Sequence, residues 1–529
     1  MDTLFSGKSA LILDKHLNDL GELRSILSSL GIEQVAVASS VNMALSVLRE
    51  QPVDLCFMVY DLGKGEKNGL QVLHEAQAEG IHRYATSYIL VSDPEMSELL
   101  FGSLEHSPDL CISKPYDSAR IRLNLEKLLR LKNAVSPLDE LMDQQKWVEA
   151  LNLCDKKLEF YPALKTFLLR IKGIILLRLG HYAEAADLFN ALLEMRDQHW
   201  MRVGLGVAAY RMGRFELAHT SLNNVVNQNQ VSLDAFNWLS RLHRLKGDWG
   251  LSMSLLRKSV MLQPSVAVLQ AELGNVAARM QDWRLAVEAF RAAVRFGRYS
   301  AFQNPDYYFA LARSLCDYMD EQQREQAQES EGEALQVLEQ AVNDFDQEPA
   351  ALLRSRLLQH DILRRSGERV RADQSARDAL ALFRNMPLTE QALWIDQLSD
   401  GLEGAEVAAE VAQLRQELTR KMVGIDWARA NLTGMMQFRK HELVPARDAF
   451  WQAHQAQPES ASIGLNLVQA DLELLRRGQA QDPVATLRRC DDVLHDIQYA
   501  ALSHRQQLRH KGLADRLSEQ VKAGDDQNS

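Results

Sequence analysis

Four side chains in the first quarter of the chain are of types that do chemistry where a strand ends. Asp14 closes the apolar run Ala10–Leu13, and Ser92 closes Ser87–Val91. Lys114, followed by Pro115, trails Leu110–Ile112, and Asp61 comes two residues after the run that ends at Val59. A doubly wound parallel sheet binds ligands and reacts at the carboxyl ends of its strands. A lone carboxylate in that place, such as Asp14, either caps a turn or holds a hard cation through its oxygens. Asp61 reads as a solvated loop acid unless other groups gather around it.

Other chemistries leave no trace. There is no P-loop, no GxSxG, no HExxH and no Cys/His cluster at metal-ligand spacing. The stretch LGKGEKNG at 62–69 has three glycines, but not at P-loop spacing, and no Lys-Ser/Thr follows. The 14 histidines are dispersed. His243 has no strong metal-ligand type three or four residues away and reads as a surface or packing histidine. The five cysteines, Cys56, Cys111, Cys154, Cys316 and Cys490, form no CxxC and read as reduced, buried thiols of a cytoplasmic protein. The expectation is a non-enzyme without a cofactor.

The net charge of −11 gives no general affinity for nucleic acid. No apolar stretch reads as a signal peptide and no run approaches membrane-spanning length. The apolar fraction of 46% and the length of 529 residues fit a soluble protein with more than one core.

The elements that must position the first group alternate. Short apolar runs at 10–13, 34–38, 54–59, 87–91 and 110–112 read as strands. Amphipathic stretches at 17–30, 41–49, 70–78, 95–104 and 118–131 read as helices. Five such repeats predict a doubly wound five-stranded parallel sheet over residues 1–132.

Asp14, LGKGEKNGLQVL after the third strand, Ser92 and Lys114-Pro115, in that order, resemble a bacterial response-regulator receiver domain, which implies that the sheet is flavodoxin-like. The stretch ILVSDPEMSELLFGSLEHSPDLCISKP resembles that family's segment from strand four to the Lys-Pro pair. The resemblance implies phosphoryl transfer from a histidine kinase to an aspartate, with Mg²⁺ held by acids after strand one. It makes Asp14 the metal acid, and Ser92 and Lys114 the groups that bind phosphoryl oxygens. It also exposes departures. Lys15 stands where a second acid is usual, and Cys111 stands where an aromatic is usual. Counting from Asp54 puts Val59 in the acceptor place, whereas counting back from Gly69 puts Asp61 there; the first count is preferred. The resemblance therefore implies a degenerate receiver that persists as a docking module, with Mg²⁺ relevant only if it is active.

Beyond it a 34-residue pulse begins. Gly173, Gly206, Ser240 and Gly274 lie 33, 34 and 34 residues apart, and Ala150, Ala185, Ala218, Ser252 and Ala286 lie 35, 33, 34 and 34 apart. Bulky residues keep step: Tyr182 and Phe189, Phe215, Trp249, Trp283 and Phe290. Small residues let helices cross closely and large ones fill the space between hairpins. This pattern resembles the tetratricopeptide repeat (TPR), which implies an all-α superhelix. Regular repeats are expected over 137–300 and divergent hairpins over 301–520, including a copy marked by Gly434, Ala446, Phe450 and Ala453. A polar loop or frayed helix end is expected at 320–332 and a disordered tail at 521–529.

In that family the first helices of the hairpins line a concave groove. The resemblance carries the groove positions onto Arg170, Arg178, Arg211, Arg241, Arg244 and Arg279, with Asn237 and Asn275 between them and Trp200 and Tyr210 on the same surface. Guanidinium forks grip carboxylates and asparagine holds extended backbone, so an acidic peptide or domain face is the implied ligand. The competing reading is solvated helix faces paired with neighbouring acids. Together these features predict a cytoplasmic two-component-type signalling adaptor or scaffold. The alternative is a response regulator phosphorylated on Asp61 with the repeats as output.

Overall fold

The computed structural model describes residues 4–63, 65–92, 108–227 and 232–528, with side chains up to 524. The chain divides into two compact units. One is Met1–Leu242 with Leu255–Val268 and Phe296–Gln303; the other is His243–Ser254 with Leu269–Arg295 and Asn304–Ser529.

The first unit opens with strands β1 (Ser9–Leu13), β2 (Gln34–Ala38), β3 (Leu55–Val59), β4 (Ser87–Val91) and β5 (Leu110–Ile112), interleaved with helices α1 (Leu17–Ser29), α2 (Val41–Glu50) and α3 (Gln71–Ala78). All four pairings are parallel and the order is β2-β1-β3-β4-β5. That is the flavodoxin-like order. Every residue of β3 and β4 is buried, which is why these strands are continuous apolar runs without alternation. Register sets Leu13 beside Ala38 and Met58, and Val59 beside Val91. Asp14, Tyr60 and Ser92 then leave the sheet together, their N–H groups donating to Ala38, Val91 and Ile112 carbonyls. The helix expected at 95–104 lies outside the described residues.

The expected domain boundary between 132 and 137 is not a linker. Helix α4 runs unbroken over Ser118–Asp143, with Pro137 inside it. Asp117 caps its start by accepting from the Ala119 and Arg120 N–H groups. Its first half buries Ile121, Leu125, Leu128 and Leu129 on the sheet core. Its second half buries Val135, Leu138 and Met142 against Ala150, Cys154 and Leu168. The sheet's last helix is thus also the first helix of the repeat run. Polar RLKN with a nearby proline resembled a break, but both flanking faces carry apolar residues that need cover.

Hairpins follow: α5 (Trp147–Phe160), α6 (Lys165–Leu179), α7 (Tyr182–Met195), α8 (His199–Arg211), α9 (Phe215–Asn227), α10 (Leu233–Leu245) and α11 (Trp249–Leu262). Gly180 turns the second of them in a left-handed conformation, φ 77°, its N–H donating to Leu176 and Leu177 carbonyls. The small residues sit where predicted. A Cβ on Gly173 would lie 2.6 Å from the Phe189 ring, and one on Gly206 would lie 2.5 Å from the Leu222 side chain. Ser240 is fully buried, as are Ala185 and Ala218.

The second unit contains α12 (Ala267–Arg279), α13 (Trp283–Gly297), α14 (Pro305–Met319), α15 (Arg324–Asp344), α16 (Pro349–Arg365), α17 (Arg369–Asn385), α18 (Leu388–Gly401), α19 (Ala408–Met422), α20 (Asp426–Arg439), α21 (Leu443–Ala456), α22 (Ala461–Arg476), α23 (Pro483–Asp496) and α24 (His504–Asn528). Two expectations change here. The loop expected at 320–332 is mostly helix from Arg324 onward, with Ser330 and Ala334 buried. The tail expected to be disordered from 521 continues α24 to Asn528, and Val521 is buried. The late copy keeps its geometry: a Cβ on Gly434 would lie 2.8 Å from Phe450.

Candidate functional site

The sheet edge is closed. Asp14 is 1% exposed, accepts the His16 N–H and pairs with Lys114 Nζ at 2.9 Å. Lys114 also pairs with Asp19 from the first turn of α1, an acid that sequence reasoning passed over. Burial works against the Lys114 ammonium, but the two carboxylates outweigh it and hold its pKa above the ordinary value. Lys15 reaches Glu66 at 3.3 Å. Ser92 is buried at the end of β4.

Val59, the last residue of β3, occupies the strand end, and Asp61 lies exposed two residues on. Asp61 turns back on its own loop and accepts the Gly63 N–H at 2.8 Å. Two carboxylates, Asp14 and Asp19, already bonded to one ammonium do not make a Mg²⁺ site, since that ion needs several free oxygens. Among the described residues no three His, Cys, Asp or Glu side chains gather as a metal site. The metal role implied for Asp14 therefore does not fit these residues.

The loop after β3 is tied elsewhere. Tyr60 Oη donates to the Leu262 carbonyl at 2.7 Å. The Ser265 hydroxyl accepts from Asn68 N–H at 3.3 Å and Gln71 Nε2 at 3.2 Å. Beneath them Glu75, fully buried, pairs with Lys67 at 2.7 Å; burial raises its pKa and Lys67 only partly offsets this. The loop after β3 and the start of α3 are thus bonded to the turn that follows α11.

Three of the expected groove arginines in the first unit, Arg170, Arg211 and Arg241, lie on aromatic rings. The Arg170 guanidinium is 5.8 Å from the Trp200 ring centre, and Arg211 is 5.5 Å from Trp238. Arg241 lies over Tyr210 and Trp238 at 5.6 and 5.8 Å and its Nε donates to Tyr210 Oη at 3.2 Å. Trp200 and Tyr210 are buried beneath the cations rather than presented on the surface. Trp238, the shared ring, was not foreseen. Burial lowers the Arg170 pKa and Asp234 counters it. Asn237 accepts from Ser259 Oγ at 2.8 Å, a contact within its own hairpin. Arg178 is exposed.

In the second unit the expected groove residues hold the chain's own carboxyl-terminal segment. Arg244 bonds His495 Nδ1 at 2.7 Å and faces Glu272 at 3.6 Å. Asn275 donates to Gln498 Oε1 at 2.8 Å and accepts the Ala500 N–H at 2.9 Å. Arg279 stacks 3.9 Å above Trp249 and pairs with Asp515 at 2.6 Å. The short 3₁₀ turn Tyr499–Ala501 packs on α14. At these positions the arginines and the asparagine are engaged by side chains and backbone of the same chain.

Other reactive groups are quiet. Burial pushes the thiols of Cys56, Cys111, Cys154 and Cys316 up to about 12. His243 lies 3.4 Å from Asp248. No described helix is long and apolar enough to cross a membrane.

Residues 203–266 match the family model of the tetratricopeptide repeat. No curated protein matches the chain. Among solved structures, residues 41 to the end of MamA from Desulfovibrio magneticus RS-1 are 22% identical, covering 32% of this chain and 94% of that one, with a TM-score of 0.28. The C-terminal part of a TPR repeat-containing protein from Cytophaga hutchinsonii is 15% identical over 47% of this chain and 96% of its own, TM-score 0.38. Pseudomonas aeruginosa PilF is 17% identical over 45% of this chain and 93% of its own, TM-score 0.25.

Proposed function

We propose that this TPR-containing chain is a cytoplasmic adaptor of two-component-type bacterial signalling. Its receiver-like sheet docks on a signalling partner, a histidine kinase being the partner that its resemblance implies. Its repeats hold a protein effector, and neither step uses phosphoryl transfer. The observation that carries this reading is the closed Asp14–Lys114 pair with Val59 at the end of β3. A receiver works by gathering acids around a metal; here the one buried acid is spent on a lysine.

The ties from Tyr60, Asn68 and Gln71 to the turn after α11 support a fixed docking surface. For the effector, the arginine layer over Trp200, Tyr210 and Trp238 favours an acidic peptide or domain face. Stacking keeps the guanidinium planes ordered, so little side-chain entropy is lost on binding.

Incubation of the purified chain with acetyl phosphate and Mg²⁺, read on a Phos-tag gel, tests the central point. A single unretarded band is expected. A retarded species that disappears in Asp61→Asn overturns the reading in favour of a phosphorylation-controlled response regulator.

A further inference from the structure

In the second unit α14, α16 and α18, with Glu403 and residues 501–504, line an open cleft of about 440 Å³. Four guanidinium groups line it: Arg313, Arg354, Arg364 and Arg365. Three are matched by acids. Arg354 pairs with Asp306 and lies 4.2 Å from the Phe309 ring centre. Arg365 pairs with Asp317 at 3.0 Å and Asp361 at 3.6 Å, and Arg364 reaches Asp361 at 3.8 Å. Asp400 in the lining is engaged by Arg505 at 3.2 Å.

Arg313 is different. Among the described residues it makes no hydrogen bond or ion pair, and its Nε is shut away from water without a partner. Burial lowers its pKa; Asp361 and Asp317 pull the other way but are already bonded to Arg365. A guanidinium does not shed its proton at working pH. A half-buried charge of this kind, with Nε shut from water and no acid of its own, is costly unless an anion completes it.

The rest of the lining narrows the ligand. Phe309, Leu357 and Leu358 form an apolar wall. Asp361, Asp400 and Glu403, the last exposed at the rim, disfavour a polyanion. The volume lies in the range of small-molecule sites. We infer that this cleft binds a small molecule with one acidic head, carboxylate or phosphate, anchored by Arg313, and an apolar body lying against Phe309, Leu357 and Leu358. This site is independent of the adaptor reading, because no residue of the sheet edge or of the arginine layer lines it.

Isothermal titration of the full chain with benzoate, phenyl phosphate and inorganic phosphate tests it. One of the two aromatic anions should saturate a single site with a Kd below about 1 mM, and inorganic phosphate should bind at least about tenfold more weakly. Arg313→Gln should weaken binding at least about tenfold. Should that variant fail to fold, Arg364→Gln, a half-exposed side chain, should weaken binding about threefold, and Leu358→Trp should abolish it by filling the space. The inference is overturned if neither aromatic anion titrates up to about 10 mM, or if binding survives both Arg313→Gln and Leu358→Trp. Equal affinity for inorganic phosphate would overturn the apolar body.

Discussion

Asp14 and Asp139 show how burial assigns opposite roles to the same side chain. Asp14 has an ammonium against it and stays satisfied. Asp139 in α4 is 4% exposed; burial, with Asp109, Asp143 and Glu140 nearby, pushes its pKa up to about 7, and Lys132 offsets only part. The folded protein then keeps this proton to higher pH than the unfolded chain, whose aspartates release it near pH 4. Between those values the folded state binds more protons, so stability falls as pH rises through the window. Asp139→Asn, always neutral, should remove that fall. Urea unfolding at pH 5 and pH 8 measures it: the variant should gain roughly 3–4 kcal/mol on the parent at pH 8 and only about 1–1.5 kcal/mol at pH 5. Equal midpoints of the two proteins at pH 8 would place the proton elsewhere.

Helix crossings are the part of this chain most plainly written in its sequence. Gly173 and Phe189, Gly206 and Leu222, Gly274 and Phe290, and Gly434 and Phe450 each meet in the folded hairpin, and each pair is 16 residues apart. Contacts this local repeat with the chain and so appear as a period. Gly204 adds a second approach to Phe189 from the next helix, off the period and therefore missed. Gly204→Ala gains up to about 1 kcal/mol of helix propensity, but it drives a methyl into that ring, where overpacking costs about 1–3 kcal/mol. A lower melting temperature is expected, with Phe189→Leu in the same chain recovering part of the loss. If Gly204→Ala melts higher than the parent, the crossing is looser than described.

For the whole molecule, contacts distant in sequence decide what the sequence did not show. Tyr60 and Leu262 are 202 residues apart, Asn275 and Gln498 are 223 apart, and no period or motif announces either pairing. The parallel sheet, the hairpins and the small-residue positions were legible. The continuity of α4 was not, because a helix spanning two cores differs from a linker only in what it meets. Lys132 Nζ donates to the Tyr84 carbonyl, and Asp143 accepts the Tyr84 N–H. A fragment ending at residue 132 loses Asp143 and the cover supplied by Val135, Leu138 and Met142. It should therefore melt at least about 5 °C below a fragment ending at residue 160. Identical melting curves would restore the shorter boundary.

The engagement of Asn275 by Gln498 and Ala500 has a thermodynamic corollary. Were a partner to bind at Asn275, this tethered segment would compete with it at an effective concentration of order millimolar or higher, whatever the protein's dilution. Any visitor to Asn275 faces that resident rival, so intrinsic attraction there is discounted before it can be measured. Selectivity at such a place resides less in what the surface attracts than in how firmly the incumbent stays.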